Sequence, residues 1–146
     1  MTTERILLDT TVLAHLTKIS QHSKAYNRIV GKKRVVLSFQ SRAELLNAGY
    51  SKTRQKQLDI YLSACVTAPH SQSTDVHYAR VVAVRRQLKS QSQVGGDAGD
   101  ADAWIISSAL EHAIPLATHD RQQVLLARAC GLPTYTDMPD LRAQNP

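Results

Sequence analysis

The residues in this sequence whose side chains are best suited to metal binding or catalysis are four widely spaced carboxylates. They are Asp9, Glu44, Asp102 and Asp120. Four acids gathered at one edge of a sheet repel one another unless a cation or a shared proton relieves them. Ligand sets made only of oxygen favour magnesium or manganese over zinc, and no His or Cys spacing in the chain is that of a zinc site. If the fold brings the four acids together, they indicate a divalent metal centre.

Each of these acids also has a structural explanation. An Asp that follows a strand often caps the next helix, which would account for Asp9, Asp102 and Asp120 taken singly. Glu44 is harder to explain in this way, because Leu45-Leu46 follows it directly in a helix that must pack on the sheet. Capping and metal binding therefore both stay open for the three aspartates.

The elements that must position the acids alternate between strands and helices. Short apolar runs predict strands at 6–8 and 35–37, with further strands at 65–67, 114–118 and 132–135. Helical spacing predicts helices over 12–16, 23–30, a segment containing 42–46, 51–64, 73 or 74 to 88, 100 or 102 to 113, and 121–130. This alternation predicts one α/β domain over residues 1–146, with a mainly parallel sheet of four or five strands covered on both faces. Asp9, Glu44 and Asp120 then belong to the carboxyl edge of the sheet, where sites form in such folds.

Polar residues and glycine mark the expected ends of several helices. Ser38 or Ser41 is predicted to cap the helix that carries Glu44, and Ser73 or Thr74 the long helix that ends near residue 88. Gly31 is predicted to end the second helix.

The segment Lys89–Gly99 is rich in Ser, Gln and Gly and is predicted to be a flexible loop. If it returns the chain over the top of the sheet, Asp102 also reaches the carboxyl edge. Asp97 is expected to be a solvated loop residue, whereas it stays open whether Asp100 joins the acidic site.

The composition is that of an ordinary globular protein with an excess of basic residues. The net charge of the 146 residues is +6, which attracts polyanions such as nucleic acids, although each basic cluster can also be a solvated surface. No apolar run approaches the roughly 20 residues of a membrane span, and the first residues do not resemble a secretory signal. Cys65 and Cys130 are expected to be buried thiols, so a cytoplasmic protein is expected.

The motifs around the four acids resemble those of the PIN-domain ribonucleases. Residues 7–13, Leu-Leu-Asp-Thr-Thr-Val-Leu, resemble the opening motif of that family, and residues 43–46, Ala-Glu-Leu-Leu, its second motif. Residues 102–112 together with 115–121 resemble the long third and fourth motif. Each motif is weak alone, but they occur in the right order over almost the whole chain, and the combination is specific.

This resemblance implies a PIN-like three-layer α/β/α fold and an RNase that depends on Mg²⁺ or Mn²⁺. The acidic quartet of the family matches Asp9, Glu44, Asp102 and Asp120, and Thr118 matches its small hydroxyl residue. The compact length resembles a VapC-type toxin of a bacterial toxin–antitoxin pair. The partners implied are RNA, a cognate antitoxin and a second copy of the chain in a homodimer, with no membrane.

The resemblance also implies roles for the residues. Asp9 and Asp102 are expected to hold the first metal ion, with Asp120 nearby, while Glu44 positions or deprotonates the attacking water. Thr10 and Thr118 are expected to hydrogen-bond to the acids rather than act as nucleophiles, because no adjacent base activates them.

The sequence departs from the family pattern at several positions. Ser107-Ser108 replaces small alanines, while His119 and Gln122-Gln123 stand where a basic residue and an aromatic-containing stretch are usual. Which residues around the site contact the substrate therefore stays undecided, including whether His119 contacts phosphate. Trp104 is expected to be a core or partner-facing residue.

Three rival functions remain. One is a catalytically silent PIN-fold module that binds RNA or protein, and another is a nuclease that processes RNA without being a toxin. The third is a receiver-like phosphoacceptor domain, which also gathers acids at strand ends. That domain needs a Lys after the last strand, and no Lys follows Lys89 in this chain.

Overall fold

Strands and helices alternate along the chain in the computed structural model, which describes residues 3–18 and 20–146. The strands are β1 (Arg5–Leu8), β2 (Arg34–Ser38), β3 (Val66–Ala68), β4 (Leu116–Ala117) and β5 (Thr134–Tyr135). The helices of this part of the chain are α1 (Thr10–Leu16), α2 (Gln21–Val30), α3 (Phe39–Asn47), α4 (Lys52–Ser63), α5 (Gln72–Ser90), α6 (Asp100–His112) and α7 (Arg121–Ala129). A 3₁₀ turn, Arg142–Gln144, follows β5.

The five strands form one parallel sheet in the order β3-β2-β1-β4-β5. β1 lies at its centre, and Leu7 is in register with Val36 on one side and Leu116 on the other. The predicted fold class, an α/β domain with a parallel sheet, is confirmed. All five strands point their carboxyl ends to the same edge of the sheet.

Helices cover both faces of the sheet because successive strand side chains point to opposite faces. Leu7 and Val36 lie in a core that also contains buried residues of α5, α6 and α7. Ile6 and Leu8 lie in a second core, formed with buried residues of α1 to α4. The three layers of the PIN-like prediction are therefore present.

Helix caps agree with the sequence at one position and correct it at another. The hydroxyl of Ser38 accepts a hydrogen bond from the backbone N–H of Ser41, 3.0 Å away, and so caps α3. The prediction that Ser73 or Thr74 caps α5 is wrong, because Ser71 does so. Thr74 is instead the other half of a reciprocal box, in which each side chain bonds the other residue's backbone N–H.

Two predicted strands are shifted or shortened. β3 spans Val66–Ala68 rather than 65–67, and β4 contains Leu116–Ala117 of the predicted 114–118. Pro115 has no N–H to donate to a ladder, although its carbonyl accepts from the N–H of Leu7 at 2.9 Å.

The segment that follows α5 is packed against the protein rather than extended into solvent. The N–H of Gly95 donates to Oε1 of Gln122 at 2.7 Å, and Ala98 is buried. A Cβ at Gly96 would lie 2.5 Å from the backbone nitrogen of Lys89, so only glycine allows this approach to α5. These contacts fix the path by which the chain returns to α6.

Cys65 and Cys130 are free, half-buried thiols. Burial raises the pKa of each to about 11, so both are protonated at neutral pH. Separately, within residues 3–18 and 20–146, none of the helices combines the length and apolar character that a bilayer crossing requires.

Glu111 joins the two longest helices of the fold. Its carboxylate accepts hydrogen bonds from the hydroxyls of Ser71 and Thr74, so the last turn of α6 is fixed to the N-terminus of α5. Burial raises the pKa of Glu111, but these two hydrogen bonds outweigh it and the net shift is downward. The negative charge is therefore favoured by its surroundings, as expected at a helix N-terminus.

We expect Glu111→Ala to lower the free energy of unfolding by about 2 kcal/mol at neutral pH, because it removes two hydrogen bonds to a charged acceptor. Urea unfolding followed by circular dichroism measures this change. Asp59→Ala is the matched control, since Asp59 is exposed and accepts only from Gln55 one turn away; its effect should stay within about 0.5 kcal/mol. Equal losses in the two variants would contradict the role of Glu111.

Candidate metal centre

The four candidate acids all come from segments that begin at the carboxyl edge of the sheet. Asp9 directly follows β1, and Asp120 precedes α7 in the segment after β4. Glu44 lies in α3, which starts where β2 ends, and Asp102 lies in the first turn of α6. β1 lies between β2 and β4 in the sheet, so Asp9 occupies the middle of the group.

Asp9 is buried and firmly oriented. Its side chain is 3% exposed, and its Oδ2 accepts from the hydroxyl of Thr11 at 2.7 Å and from the N–H of Thr11 at 3.2 Å. Burial raises the pKa of Asp9 and the charge of Glu44 acts in the same direction, against the hydrogen bonds from Thr11. The cap of α1 therefore holds one carboxylate oxygen of Asp9 in place.

The pKa of Asp102 shows that the four acids share one electrostatic environment. Its pKa is raised to about 6, first by burial and then by the negative charges of Asp120, Asp9 and Glu44. One of its oxygens accepts from the backbone N–H of Gly99 at 3.2 Å, which acts in the opposite direction. The other three acids therefore lie close enough to Asp102 for their charges to raise its pKa.

Asp120 and Glu44 are held by hydrogen bonds as well. Oδ1 of Asp120 accepts from the N–H of Gln123 at 3.2 Å and so caps α7. Oε2 of Glu44 accepts from the hydroxyl of Thr10 at 3.2 Å, and its Oε1 from Gln40 at 3.4 Å. Of the three aspartates for which capping was an alternative, Asp9 and Asp120 cap helices, whereas the N-cap of α6 is Gly99 and Asp102 lies in its first turn.

Thr118 and Gln123 form a buried polar link beneath the acids. The Thr118 hydroxyl lies 2.6 Å from Oε1 of Gln123 and 3.4 Å from Oδ2 of Asp9, and it accepts from the N–H of Asp120 at 3.2 Å. Gln123 is fully buried, and its Nε2 has no hydrogen-bond partner among the residues described. Sequence reasoning missed Gln123, although it lies on the same helix face as the buried Leu126 and Ala127.

The two additional acids near Asp102 form ion pairs on the protein surface. Asp100 is 76% exposed and lies 2.9 Å from Arg85 of α5. Asp97 lies 3.6 Å from Lys89 and is equally open to solvent. The exposed position of Asp97 agrees with its prediction as a solvated residue, and one oxygen of Asp100 is engaged with Arg85.

A group of histidines lines the edge on the side of α1 and α2. The ring centroids of His15, His22 and His119 are 4.5 to 5.0 Å apart. Nδ1 of His119 lies 2.5 Å from the Tyr26 hydroxyl, and Nδ1 of His22 lies 2.8 Å from Asp137. Burial and the neighbouring histidines lower the pKa of both His15 and His119, which favours neutral rings at pH 7.

The donor set at this edge fits a hard divalent cation. The four carboxylates supply only oxygen, and Asp102 shows that their charges repel one another, which a bound cation would relieve. Among residues 3–18 and 20–146, no three His, Cys, Asp or Glu side chains already stand in a metal-coordinating arrangement. The fit therefore rests on the chemistry of the donors and on their mutual repulsion.

Comparison with known proteins identifies the family of this fold and site. Residues 6–130 match the model of the PIN domain. Because this match covers most of the chain, the protein belongs to the PIN-domain family. A comparison with curated proteins finds no match.

Solved structures with a similar fold include several toxin–antitoxin complexes. A chain of VapBC2 from Rickettsia felis, bound to a promoter DNA fragment, is 20% identical, with a TM-score of 0.69 over 90% of this chain and 98% of that one. A chain of VapBC-1 from nontypeable Haemophilus influenzae is 21% identical, with a TM-score of 0.69 over 90% of this chain and 97% of that one. A chain of VapBC-5 from Mycobacterium tuberculosis is 22% identical, with a TM-score of 0.60 over 90% of this chain and 96% of that one. At these identities the likeness establishes the fold.

The raised pKa of Asp102 predicts that, in the absence of metal, the free energies of unfolding of the wild type and of Asp102→Asn differ by an amount that depends on pH. A raised pKa means that the folded state holds a proton more tightly than the unfolded state, so Asp102 destabilises the fold above about pH 6. At pH 7 in EDTA, Asp102→Asn should be more stable by about 1 kcal/mol, after allowance for the solvent screening of a half-buried group. This advantage should shrink as the pH falls from 6 toward 4.

Urea unfolding of both proteins across this pH range measures the difference, and taking the difference cancels the titration of the histidines. An advantage that is absent at pH 7, or that does not change with pH, would show that Asp102 does not experience the other acids.

Proposed function

We propose that this protein is a metal-dependent ribonuclease that hydrolyses the phosphodiester backbone of RNA. The observation that carries this proposal is the raised pKa of Asp102 at the carboxyl edge of a PIN-domain sheet, to which the charges of Asp120, Asp9 and Glu44 all contribute. The net charge of +6 supports a polyanionic substrate. Mg²⁺ or Mn²⁺ is the proposed cofactor, because the donors are carboxylate oxygens.

The four acids have different roles in this proposal. Asp9 and Asp102 would hold the cation, since Asp9 is buried and fixed by Thr11 and a neutralising charge would relieve the raised pKa of Asp102. Asp120 lies on the same side and would complete the site. The cation would supply positive charge that neutralises the scissile phosphate and stabilises the negative charge that develops in the transition state.

Glu44 is the group proposed to position the attacking water and to accept its proton. A carboxylate within hydrogen-bond reach of the attacking water can take up its proton. The hydroxyl of Thr10 donates to Oε2 of Glu44, which leaves Oε1 with a long contact to Gln40. Thr10 therefore orients the proposed base, in the same way that Thr118 supports Asp9 and Asp120.

We further propose that the ribonuclease acts in the cytoplasm as the toxin of a toxin–antitoxin pair. Support comes from the VapBC complexes among the solved structures of similar fold. This chain aligns with nearly the whole length of the matching chain in each of them. On this proposal a cognate antitoxin neutralises the protein, and the protein forms a homodimer. A non-toxin RNA-processing nuclease and a silent PIN-fold binding module are the alternatives.

The decisive test is expression of the wild type and of Asp9→Asn in a bacterial host, together with RNA cleavage by the purified proteins. Wild-type expression should stop growth, and RNA cleavage should require Mg²⁺ or Mn²⁺ and cease with EDTA. Asp9→Asn should lower the rate of cleavage by at least about a hundredfold, since a removed electrostatic group in an active site typically costs that much, and it should also restore growth. Asp59→Asn, which changes an exposed acid of α4, should behave like the wild type.

Each alternative gives a different result in this test. Equal cleavage by the wild type and Asp9→Asn would refute the proposed site. Metal-dependent cleavage without any effect on growth would favour an RNA-processing nuclease over a toxin. RNA binding with no cleavage under any metal condition would favour the silent module.

A further inference from the structure

Four aromatic rings form a continuous ledge beside the acidic edge, and the acidic site does not use them. The ledge consists of Phe39, His70, Tyr78 and Trp104. Tyr78 and Trp104 are stacked, with centroids 3.8 Å apart and an interplanar angle of 14°. Phe39 and His70 meet the Trp104 ring edge-on at 5.9 and 5.6 Å and lie 5.3 Å from each other.

The backbone places this ledge at the carboxyl edge of the sheet, next to the acids. Phe39 is the first residue of α3 and directly follows β2, and His70 comes two residues after β3. Trp104 lies in α6, two residues beyond Asp102. The ledge therefore occupies the β2–β3 side of the edge, one strand over from Asp9.

The ledge is more exposed than core packing requires. Phe39 and Trp104 are partly open to solvent and belong to neither of the two cores described above. The side chain of His70 is 46% exposed, and Asp75 holds its ring through a contact of 2.6 Å to Nε2. The stack of Tyr78 on Trp104 explains how α5 meets α6, but it does not explain the half-exposed rings of Phe39 and His70.

We propose that this ledge binds an unpaired nucleobase of the RNA, next to the phosphate that the acids attack; this inference rests on the proposed ribonuclease function. Recognition of single-stranded RNA depends on bases that stack on aromatic side chains. A base and its phosphate belong to the same nucleotide, so a stacking surface at the edge of the sheet that carries the acids can hold the base of a nucleotide whose phosphate reaches them.

The charge around the ledge suits a nucleotide better than an apolar protein segment. Arg42 lies in α3 three residues after Phe39, is exposed, and contacts the Thr67 hydroxyl of β3 at 3.4 Å. It can meet a phosphate that flanks the stacked base. Asp75 is the acid that contacts the ledge, and it is engaged with His70.

The chain contains a single tryptophan, so the fluorescence of Trp104 reports directly on the ledge. The experiment titrates the Asp9→Asn protein with a single-stranded oligoribonucleotide about ten nucleotides long, and in parallel with inorganic polyphosphate. Binding of end-labelled RNA is measured separately by fluorescence polarisation. RNA should change the Trp104 emission to a saturating level, whereas polyphosphate, which has charge but no bases, should leave it unchanged.

Two variants test the same site without reference to Trp104 emission. Phe39→Leu should weaken RNA binding about tenfold, since one stacked base is worth that much in affinity, and it should leave polyphosphate binding unchanged. His70→Ala should also weaken RNA binding, and because His70 is exposed this variant keeps its fold. Tyr50→Leu, which removes a half-buried aromatic beyond the other end of α3, is the matched control and should retain wild-type affinity.

The outcomes separate this inference from the function on which it rests. RNA that binds by polarisation with unchanged Trp104 emission, or with equal affinity in Phe39→Leu and Tyr50→Leu, would overturn the ledge and leave the nuclease proposal standing. The same emission change with polyphosphate would also overturn it, because that change would reflect charge alone. Absence of RNA binding together with absence of metal-dependent cleavage by the wild type would overturn both proposals.

Discussion

Four carboxylates share one edge of a five-stranded sheet, and the repulsion among their charges is the constraint on which the surrounding structure depends. The repulsion shows in Asp102, whose pKa rises to about 6 through burial and through Asp120, Asp9 and Glu44. Such a group lowers the stability of the fold at neutral pH unless a cation is bound. The protein holds the acids together because local hydrogen bonds stabilise one oxygen of each, from Thr10, Thr11, Gly99 and Gln123.

Three of the acids, Asp9, Asp102 and Asp120, accept a hydrogen bond from a backbone N–H at the N-terminus of a helix. A helix N-terminus carries partial positive charge and unpaired N–H groups, so α1, α6 and α7 offset part of the repulsion with groups that the fold must place there anyway. The parallel sheet makes this possible, because every strand ends at the same edge and the next helix starts there. Capping is thus the means by which the fold positions the acids, rather than an alternative to a site.

Most of the fold could be predicted from the sequence because the patterns that indicate strands and helices are local. Short apolar runs and helical spacing predict β1, β2 and the order of the helices, and the acids follow these elements directly. The predicted ends of β3 and β4 were less accurate. The bounds of strands of two or three residues depend on neighbours such as Pro115 rather than on the hydrophobic pattern of the strand itself. The cap of α5 was misplaced because several hydroxyl residues occur together, and only the backbone shows that Ser71 is the one used.

The parts of the site that sequence could not supply are those made by contacts across the fold. Gln123 supports Thr118 from a buried position, and Asp100 turns to Arg85 of α5; both depend on how helices meet. Trp104 was expected in the core or facing a partner, and its stack on Tyr78 with two open rings beside it is a tertiary arrangement. The candidate acids, in contrast, were proposed from the order of the motifs, and residues 6–130 of the chain match the PIN domain.

The central claim is that Asp9, Glu44, Asp102 and Asp120 act together as one cation site, and calorimetric titration of the metal-free protein with Mn²⁺ tests it most directly. The wild type should bind Mn²⁺ saturably, and Asp9→Asn and Asp102→Asn should each lower the affinity at least about tenfold. Asp75→Asn, which alters an acid contacting His70 on α5, should bind as the wild type does. Absence of Mn²⁺ binding by the wild type, or equal binding by all four proteins, would contradict the account.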